Sequence, residues 1–279
     1  MREGTYNRKA AVGINMSRYY VPGFYLFLMT WFIGGCAATR HSAPDPKPQP
    51  LDGGAWEIVW EDNFDGKEID TSKWNIDGDR VRRKGYWYRE DAYLDGKGHL
   101  VLRTKVKDGR FTSGSINSAG KFQQRFGYWE IRCKFPSQEG HWPAFWLYTE
   151  SVKNIEHEGR DGTEIDIMEK PLRSDVIEHN LHWDGYEEAH RSARKEVKLP
   201  GISEGFHTFA VQWTSSGYVF YVDGRETWRT KAGGISRVPQ YIFISEEVDD
   251  WAGDILNANL PDYFLVDWVR VYKASSSQR

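Results

Sequence analysis

The stretch Trp129-Glu130-Ile131-Arg132-Cys133-Lys134-Phe135 alternates apolar and charged side chains without a break. Successive side chains of a β-strand point to opposite faces, so this order predicts a strand with one face in the core and one in water. Five further segments are rich in Val, Ile, Phe, Tyr and Trp and are bounded by turn-forming residues, as strands usually are. They are residues 98–106, 206–213, 218–222, 241–244 and 264–272.

Turn signals and the lack of helical patterns complete the fold prediction. Asp223-Gly224 separates two strand-like runs and is a dipeptide that tight hairpin turns favour. The best helical candidate, residues 187–199, repeats only small apolar side chains every four positions, so we expect a loop or a marginal helix there. Without a repeat or a composition break after Gly54, residues 55–273 are predicted to form one all-β sandwich or barrel, followed by a polar tail, 274–279.

Composition narrows the possible function classes. The 279 residues include 37 basic and 40 acidic side chains, giving a formal charge of -3 that does not favour nucleic acid as a partner. A mean hydropathy of -0.67 excludes a polytopic membrane protein. The 13 Trp residues fit either a well-filled β core or a cleft that stacks on flat ligands.

The first 36 residues form a segment of a different kind. Basic residues precede an apolar run, 19–33, that Pro22 and Gly23 interrupt and that ends in Gly34-Gly35-Cys36. The run is shorter than the roughly 20 residues of a membrane span and has the three regions of an export signal. Residues 33–36 resemble a bacterial lipobox, which implies an exported lipoprotein anchored through Cys36, in the outer membrane of a Gram-negative bacterium. The alternative is an uncleaved anchor helix.

A proline-rich stretch separates this segment from the body. Residues 37–54 form this tether, with Pro at positions 44, 46, 48 and 50, a spacing that favours polyproline II. In that conformation residues 37–50 could span roughly 40 Å. Cleavage at Cys36 leaves 33 basic and 39 acidic side chains, a net charge of -6. The exported part would contain one cysteine, Cys133, so we expect no disulfide within it and a buried thiol. We also expect the protein to be a monomer.

The segment 162–170 concentrates acids on a strand. In a regular strand Glu164 and Asp166 share one face, and two carboxylates so spaced raise each other's proton affinity. Glu169 joins them only if one extra residue bulges out near Ile167 or Met168. Acids tuned to different protonation states suit glycoside hydrolysis, but on the strand alone an exposed, solvated edge strand is the more common explanation.

The neighbouring sequence favours a site over a solvated edge. Aromatic residues of segments 141–148 and 179–183 bracket the acids, as expected where sugar rings stack on indoles. A metal site is the alternative, since these acids with His179 and His182 could supply ligands, but no compact ligand motif appears. A nucleophilic serine is not indicated, because there is no G-x-S-x-G sequence.

Four blocks of the sequence, in the order in which the family has them, resemble glycoside hydrolase family 16. Its E-x-D-x-x-E signature corresponds to residues 164–169, in the longer form of laminarinases, agarases and carrageenases. Residues 60–66 with 72–74 resemble its opening strand, 112–114 with 126–130 its next block, and 266–272 its closing strand. The resemblance implies a jelly-roll β-sandwich with a concave substrate cleft and retaining, endo-acting hydrolysis of a β-linked polysaccharide.

The resemblance also implies residue roles. Glu164 would be the nucleophile, Asp166 an assisting acid and Glu169 the acid/base. Trp129, Trp142, Trp146 and Trp251 would bind sugars, with His182 as a polar partner near Glu169. No cofactor is required, although some members hold a structural calcium that Asp267 would bind here.

The substrate prediction depends on two charged stretches. Residues 245–251 are acidic and, if they border the cleft, would repel sulfated galactans, which favours β-1,3- or mixed-linkage β-1,3/1,4-glucan. The basic run Arg80, Arg82, Arg83, Lys84 and Arg89 would instead suit an anionic red-algal galactan such as agar, porphyran or carrageenan, if it reached the same cleft. A non-catalytic carbohydrate-binding lipoprotein and a transglycosylase are the alternative functions.

Overall fold

Strands make up nearly all the regular structure in the described part of this chain. The computed structural model describes residues 47–50, 53–171 and 174–275, so the predictions for 1–36, including Cys36, lie outside the described residues. Within those ranges there are eighteen strands, five short 3-10 turns and no α-helix. The strands are β1 (Trp56–Asp62), β2 (Asn75–Ile76), β3 (Arg80–Arg82), β4 (Gly85–Trp87), β5 (Ala92–Leu94), β6 (Leu100–Lys107), β7 (Arg110–Ser113), β8 (Ser115–Asn117), β9 (Gly127–Lys134), β10 (Trp142–Tyr148), β11 (Glu164–Glu169), β12 (Val176–Trp183), β13 (Arg191–Lys198), β14 (His207–Thr214), β15 (Gly217–Val222), β16 (Arg225–Thr230), β17 (Tyr241–Glu247) and β18 (Asp262–Ala274).

The strands form two sheets. The larger sheet has the order β16-β15-β14-β9-β18-β6-β7-β4-β3, with β1 also paired to β18 and β5 to β6. The smaller sheet has the order β13-β12-β11-β10-β17-β8-β2. Almost all pairs are antiparallel, β4 with β7 being parallel. The predicted all-β sandwich is confirmed, and the five strand-like segments correspond to β6, β14, β15, β17 and β18.

The apolar face of β9 builds the core as its alternation predicts. Trp129, Ile131 and Cys133 are 0 % exposed and pack among side chains of both sheets. The side chains of Ile165 and Leu181 come to the same core from the smaller sheet. Side chains of opposite sheets therefore fill one layer, as in other sandwiches.

The opposite face of β9 is exposed as predicted only toward its end, at Lys134, while the first half of that face is covered. Tyr128 and Glu130 are each 1 % exposed. Trp56 packs against Tyr128, and the Lys47 ammonium lies 3.3 Å from a Glu130 carboxylate oxygen. The Trp56 indole donates a hydrogen bond of 2.7 Å to the Pro48 carbonyl. The end of the predicted tether, residues 47–50, is therefore packed on the larger sheet rather than extended away from it.

The hairpin prediction at Asp223-Gly224 is confirmed. These two residues connect β15 to β16 and have φ values of 48° and 71°. A two-residue hairpin turn of type I′ needs positive φ at both central positions, which Asp tolerates and Gly adopts freely.

Residues 187–199 were predicted to be a loop or marginal helix, and this prediction is wrong for most of the segment. Strand β13 pairs with β12 over eight residues and is at the end of the smaller sheet. Ala193 and Val197 pack against the core, while most of the remaining side chains are exposed. The sequence pattern is weak because backbone pairing to β12, rather than an apolar face, maintains an edge strand.

Candidate active site

Strand β11 lies between β10 and β12 and presents its acids on the outer face of the smaller sheet. Ile165 is 0 % exposed in the core, so the alternate residues Glu164 and Asp166 point away from it. Ile167 and Met168 are both in the core as well, although they are adjacent in sequence. Two consecutive inward side chains require an irregular backbone between Asp166 and Glu169.

That irregularity is a β-bulge, as predicted. On β10, Phe145 pairs with Met168 and its neighbour Trp146 pairs with Asp166, which leaves Ile167 as the extra residue. The pairing with β12 shifts over the same interval. Because of the extra residue, Glu169 reaches the same face as Glu164 and Asp166, and all three acids line one cleft.

Aromatic and basic side chains complete the lining of this cleft. The aromatic residues come from β4, β10 and β17, and the basic ones mostly from β3 and the turn that follows it. They are Trp87, Trp142, Trp146, Tyr148, Tyr241 and Phe243, with Tyr186 from the connection between β12 and β13, and Arg80, Arg82, Arg83 and Lys153. Flat apolar faces beside acids and guanidinium groups are suited to binding sugar rings.

Glu169 is held by two donors. The Trp142 indole N–H donates to Oε1 at 2.8 Å, and the Asn180 side-chain amide donates to Oε2. Burial raises the pKa of Glu169 to about 7, although both hydrogen bonds lower it. The negative charge of Glu164 adds to the increase. Glu169 therefore retains a proton well above the usual carboxyl range, as a general acid must.

The pKa of Glu164 is also near 7, but its hydrogen-bond donor is a different side chain from those that hold Glu169. The Tyr186 hydroxyl donates to Oε2 at 2.5 Å. Burial raises the pKa of Glu164 to about 7, while Tyr186 and the nearby guanidinium groups of Arg82 and Arg83 lower it. A hydroxyl donor and two cations stabilise the ionised form, which is the form a nucleophile needs.

Asp166 is the most buried acid of the three, with 3 % exposure. Burial, and then the charges of Glu169 and Glu164, raise its pKa well above the ordinary value. His182 lies opposite, with Nε2 3.5 Å from Asp166 Oδ2 and Nδ1 2.9 Å from His190. Burial lowers the pKa of His182 to about 4, so the imidazole is neutral at pH 7. The raised pKa favours the neutral form of Asp166, which carries no charge into the cluster.

The metal alternative corresponds to one group of residues. Ligand atoms of Glu164, Asp166 and His182 lie within 4.8 Å of one another and could hold a metal ion. The same atoms already take part in hydrogen bonds or close pairs with Tyr186, with His190 and with each other. Asp166 Oδ2 is the exception, since it is buried and its nearest polar neighbour is His182 Nε2 at 3.5 Å.

Two predicted sugar-binding tryptophans line the cleft and two do not. Trp142 and Trp146 are among the lining residues, and Trp146 stacks on Phe243 with ring centroids 4.2 Å apart. The prediction for Trp129 is wrong, because this residue is 0 % exposed in the core between the sheets. Trp251 is 37 % exposed and packs edge-on against Trp142 at 4.6 Å, so it lies beside the cleft.

The predictions for His182 and Asp267 also need correction. His182 is paired across from Glu164, not next to Glu169, whose polar side-chain partner is Asn180. Asp267 accepts a hydrogen bond of 2.6 Å from Arg132. A guanidinium already neutralises that carboxylate where calcium would need several oxygen ligands, so the residues around Asp267 do not fit the ion.

The acidic stretch and the basic run meet at the cleft. Residues 245–247 are the end of β17, not a loop, and Glu247 lines the cleft while Glu246 is buried on the other side of the strand. Arg82 and Arg83 both pair with Glu247, and Lys84 pairs with Asp250. The acids that were expected to repel an anionic polymer are therefore largely buried or neutralised.

Asn180, Tyr186 and Trp87 belong to the site but were not among the predicted site residues. Asn180 and His182 are two residues apart on β12 and face the same side of the sheet. Aligning β12 beside β11 in the sequence would therefore have placed Asn180 next to the acids. Tyr186 lies in the connection between β12 and β13, and nothing in the local pattern indicates that its hydroxyl meets Glu164.

Two sheets packed as a sandwich, with a bulged acidic strand and aromatic residues across one cleft, define a class of polysaccharide-cleaving glycosidases. Residues 83–270 match the family model described as glycosyl hydrolases family 16, and the chain belongs to that family. Members of this family need no cofactor.

Relatives and solved structures agree with this assignment. A keratan-sulfate endo-1,4-beta-galactosidase of Sphingobacterium multivorum is 30 % identical over 78 % of this chain, which spans 55 % of that relative. A beta-glucanase of Rhodothermus marinus is 27 % identical over 88 % of this chain and 93 % of its own length. The structure of a laminarinase from Flavobacterium sp. UMI-01 is 27 % identical, with a TM-score of 0.68 over 78 % of this chain and all of that one. These likenesses confirm the jelly-roll sandwich.

Proposed function

We propose that this protein is an endo-acting, retaining glycosidase that cleaves a β-linked polysaccharide. The observation that carries the proposal is that Glu164 and Glu169 face one cleft with different partners. Glu164 has a hydroxyl donor and cations nearby, and Glu169 is held by an indole and an amide. Two carboxyls with separate environments can supply one ionised and one protonated group near neutral pH.

The reaction would proceed in two displacements. In the first, ionised Glu164 forms a bond to the anomeric carbon while Glu169 gives its proton to the departing glycosidic oxygen. In the second, Glu169 takes a proton from water, which attacks the same carbon and releases Glu164 as a carboxylate. This route requires carboxyl groups about 5 to 5.5 Å apart and returns the anomeric carbon to its starting configuration.

Asp166 would keep the cluster from accumulating charge. It lies between the two glutamates in sequence and is buried beside both, so an ionised Asp166 would repel the Glu164 carboxylate. As a neutral acid it can donate a hydrogen bond within the cluster instead. Its role is to tune the other two acids, as the resemblance implies.

Two substrate classes have separate support. Neutral β-1,3- or mixed-linkage glucan is supported by the names of the glucanase and laminarinase relatives. Galactan is supported by a relative named as a galactosidase and by the arginines that line the cleft. The electrostatic reason to prefer glucan is lost, since Arg82 and Arg83 neutralise Glu247.

Hydrolysis of a polysaccharide panel tests this function. Laminarin, lichenan, agarose, carrageenan and keratan sulfate would be incubated with the full chain and assayed for new reducing ends, and NMR would follow the anomer first released. We expect oligosaccharides of retained configuration from at least one polymer. Binding without products would favour a carbohydrate-binding protein, and rearranged polymer without new reducing ends would favour a transglycosylase.

The glutamate roles have their own test. Glu164→Gln should lower kcat by at least about a thousandfold, because the amide cannot form the glycosyl-enzyme. Glu188→Gln, an exposed glutamate outside the cleft lining, is the matched control. A Glu164→Gln variant with wild-type turnover would overturn the assignment.

We also propose, from the sequence of residues 1–36, that the protein is exported and anchored through a lipid on Cys36, in the outer membrane of a Gram-negative bacterium. Among the residues that the structure describes, none belongs to a helix long and apolar enough to cross a bilayer. Mass spectrometry of the purified full chain should show a mature N-terminus at Cys36 carrying acyl groups. An intact N-terminal segment with an unmodified Cys36 would contradict the proposal.

A further inference from the structure

A small hairpin of basic residues forms one wall of the cleft. Strands β3 and β4 pair antiparallel, with Arg82 opposite Gly85 and the turn at Arg83 and Lys84 between them. Arg80, Arg82 and Arg83 line the cleft that contains Glu164, Asp166 and Glu169. We call residues 80–87 the basic hairpin.

The basic hairpin is fixed to the end of β17. The Trp87 indole donates a hydrogen bond of 3.1 Å to the Glu246 carbonyl, and the Lys84 backbone N–H donates one of 3.1 Å to the Val248 carbonyl. The Lys84 ammonium also pairs with Asp250. These contacts hold the hairpin at the cleft, unlike a basic run that is merely solvated.

The guanidinium planes are positioned on indoles. Arg80 and Arg82 lie over Trp87, with 4.8 and 5.0 Å from the guanidinium carbon to the ring centroid. Arg83 lies over Trp142 at 5.0 Å. Because Trp142 also donates to Glu169, Arg83 is one side chain away from the acid/base. Stacking restricts the rotamers of long side chains and aims their N–H groups.

One carboxylate holds two of these arginines. Glu247 is 4 % exposed; its Oε1 accepts from Arg82 Nη2 at 2.7 Å and from Arg82 Nε at 2.8 Å. Its Oε2 accepts from Arg83 Nε at 3.2 Å. Each guanidinium has five N–H donors, and these contacts use two of Arg82 and one of Arg83. One negative charge against the two positive charges of Arg82 and Arg83 leaves a net positive wall. Arg80 is half-exposed beside them and pairs with Asp77 at 3.4 Å.

We propose that Arg82 and Arg83, with Arg80, bind an anionic group of the polysaccharide beside the catalytic acids. The group is a sulfate ester or a carboxylate, whose paired oxygens match the fork of a guanidinium. Buried Glu247 is the counter-ion that fixes the two arginines, and Trp142 supports the sugar that bears the anion. This inference rests on the function proposed for the cleft and assigns the substrate to the charged class.

Affinity electrophoresis tests the inference without requiring turnover. The full chain carrying Glu164→Gln would migrate through gels containing keratan sulfate, the same polymer after chemical desulfation, hyaluronan or laminarin. We expect the sulfated polymer or the carboxylated hyaluronan to retard the chain at least about tenfold more strongly than desulfated polymer or laminarin. Added salt should weaken that retardation, because it screens charge. The more strongly retarding anionic polymer identifies the group.

Arg83→Gln, added to that chain, should reduce the preference for the anionic polymer about tenfold. Arg80→Gln gives a second variant at a more exposed position, should Arg83→Gln not fold. Arg229→Gln, at an exposed arginine of β16, is the control and should keep the wild-type preference. Equal retardation by charged and neutral polymers, or an unchanged preference in Arg83→Gln, would overturn the inference. Binding selectivity without hydrolysis by the wild type would leave the inference standing and reject the proposed hydrolysis.

Discussion

At the scale of single residues, burial raises the pKa of each of the three cleft acids. For Glu164, Asp166 and Glu169 alike, loss of solvent is the largest cause that raises the pKa, and hydrogen bonds only partly offset it for the two glutamates. What distinguishes those two is the identity of the donors. Tyr186 donates a hydrogen bond to Glu164, while Trp142 and Asn180 donate to Glu169.

The Tyr186 hydroxyl provides the first prediction. In Tyr186→Phe the donor to Glu164 is lost, so the pKa of Glu164 should rise, since this hydrogen bond lowers it. The acidic limb of the kcat/KM profile should move to higher pH, with about a tenfold loss of kcat/KM on that limb. Tyr241→Phe, at another tyrosine of the cleft lining, is the control. An unshifted acidic limb in Tyr186→Phe would show that the hydroxyl does not stabilise the carboxylate.

Stability should depend on pH through the same acid. The pKa of Glu164 is about 7 in the folded protein against an ordinary value of 4.5, so the folded state binds the proton more tightly. Its contribution to stability is therefore complete below about pH 4.5 and is lost as the pH rises through 7. Glu164→Gln should have a higher Tm than the wild type at pH 8, and the difference in Tm should shrink at pH 4. For a domain of this size, each kcal/mol gained in the free energy of unfolding raises Tm by roughly 2–4 °C. A lower Tm at pH 8 for the variant would contradict this expectation.

At the scale of elements, the bulge in β11 brings three acids of uneven sequence spacing to one face of the strand. Residues 164, 166 and 169 have mixed parity, and a regular strand would turn Glu169 into the core that Ile167 and Met168 occupy. The extra residue at Ile167 restores a common face. The bulge could be predicted because three acids needed one face. Its exact position depends on pairing with β10, which the sequence does not show.

Edge strand β13 provides the element-scale prediction. It pairs with β12 on one side only, so alternate amides of residues 191–198 should exchange with solvent at least about tenfold more slowly than their neighbours. Hydrogen exchange measured by NMR distinguishes an edge strand from a loop or a helix. A loop would exchange throughout, and a helix would protect consecutive amides. Amides of β12, which has a strand on each side, should be protected without alternation.

At the scale of the whole molecule, Cys133 reports on the closed core. It is 0 % exposed on β9, and burial raises the pKa of its thiol well above 9. In a chain beginning at Ala37, which has no other cysteine, a thiol reagent should not react with the native protein and should titrate one thiol in denaturant. Rapid reaction of the native protein would contradict the packing of the apolar face of β9 in the core between the two sheets.

The sequence by itself determined the long core strands β6, β9, β14, β15, β17 and β18, the hairpin turn and the acidic triad, because period-two alternation and turn chemistry are local. It did not indicate edge strand β13. Only the tertiary structure decided which face of each strand was covered. Trp129 is buried in the core, Glu130 pairs with Lys47, and Tyr186, in the connection between β12 and β13, donates to Glu164. It also brought the arginines of the basic hairpin onto Glu247, more than 160 residues away in the chain. Contacts between distant segments depend on how two sheets stack and pair, and no local pattern encodes that.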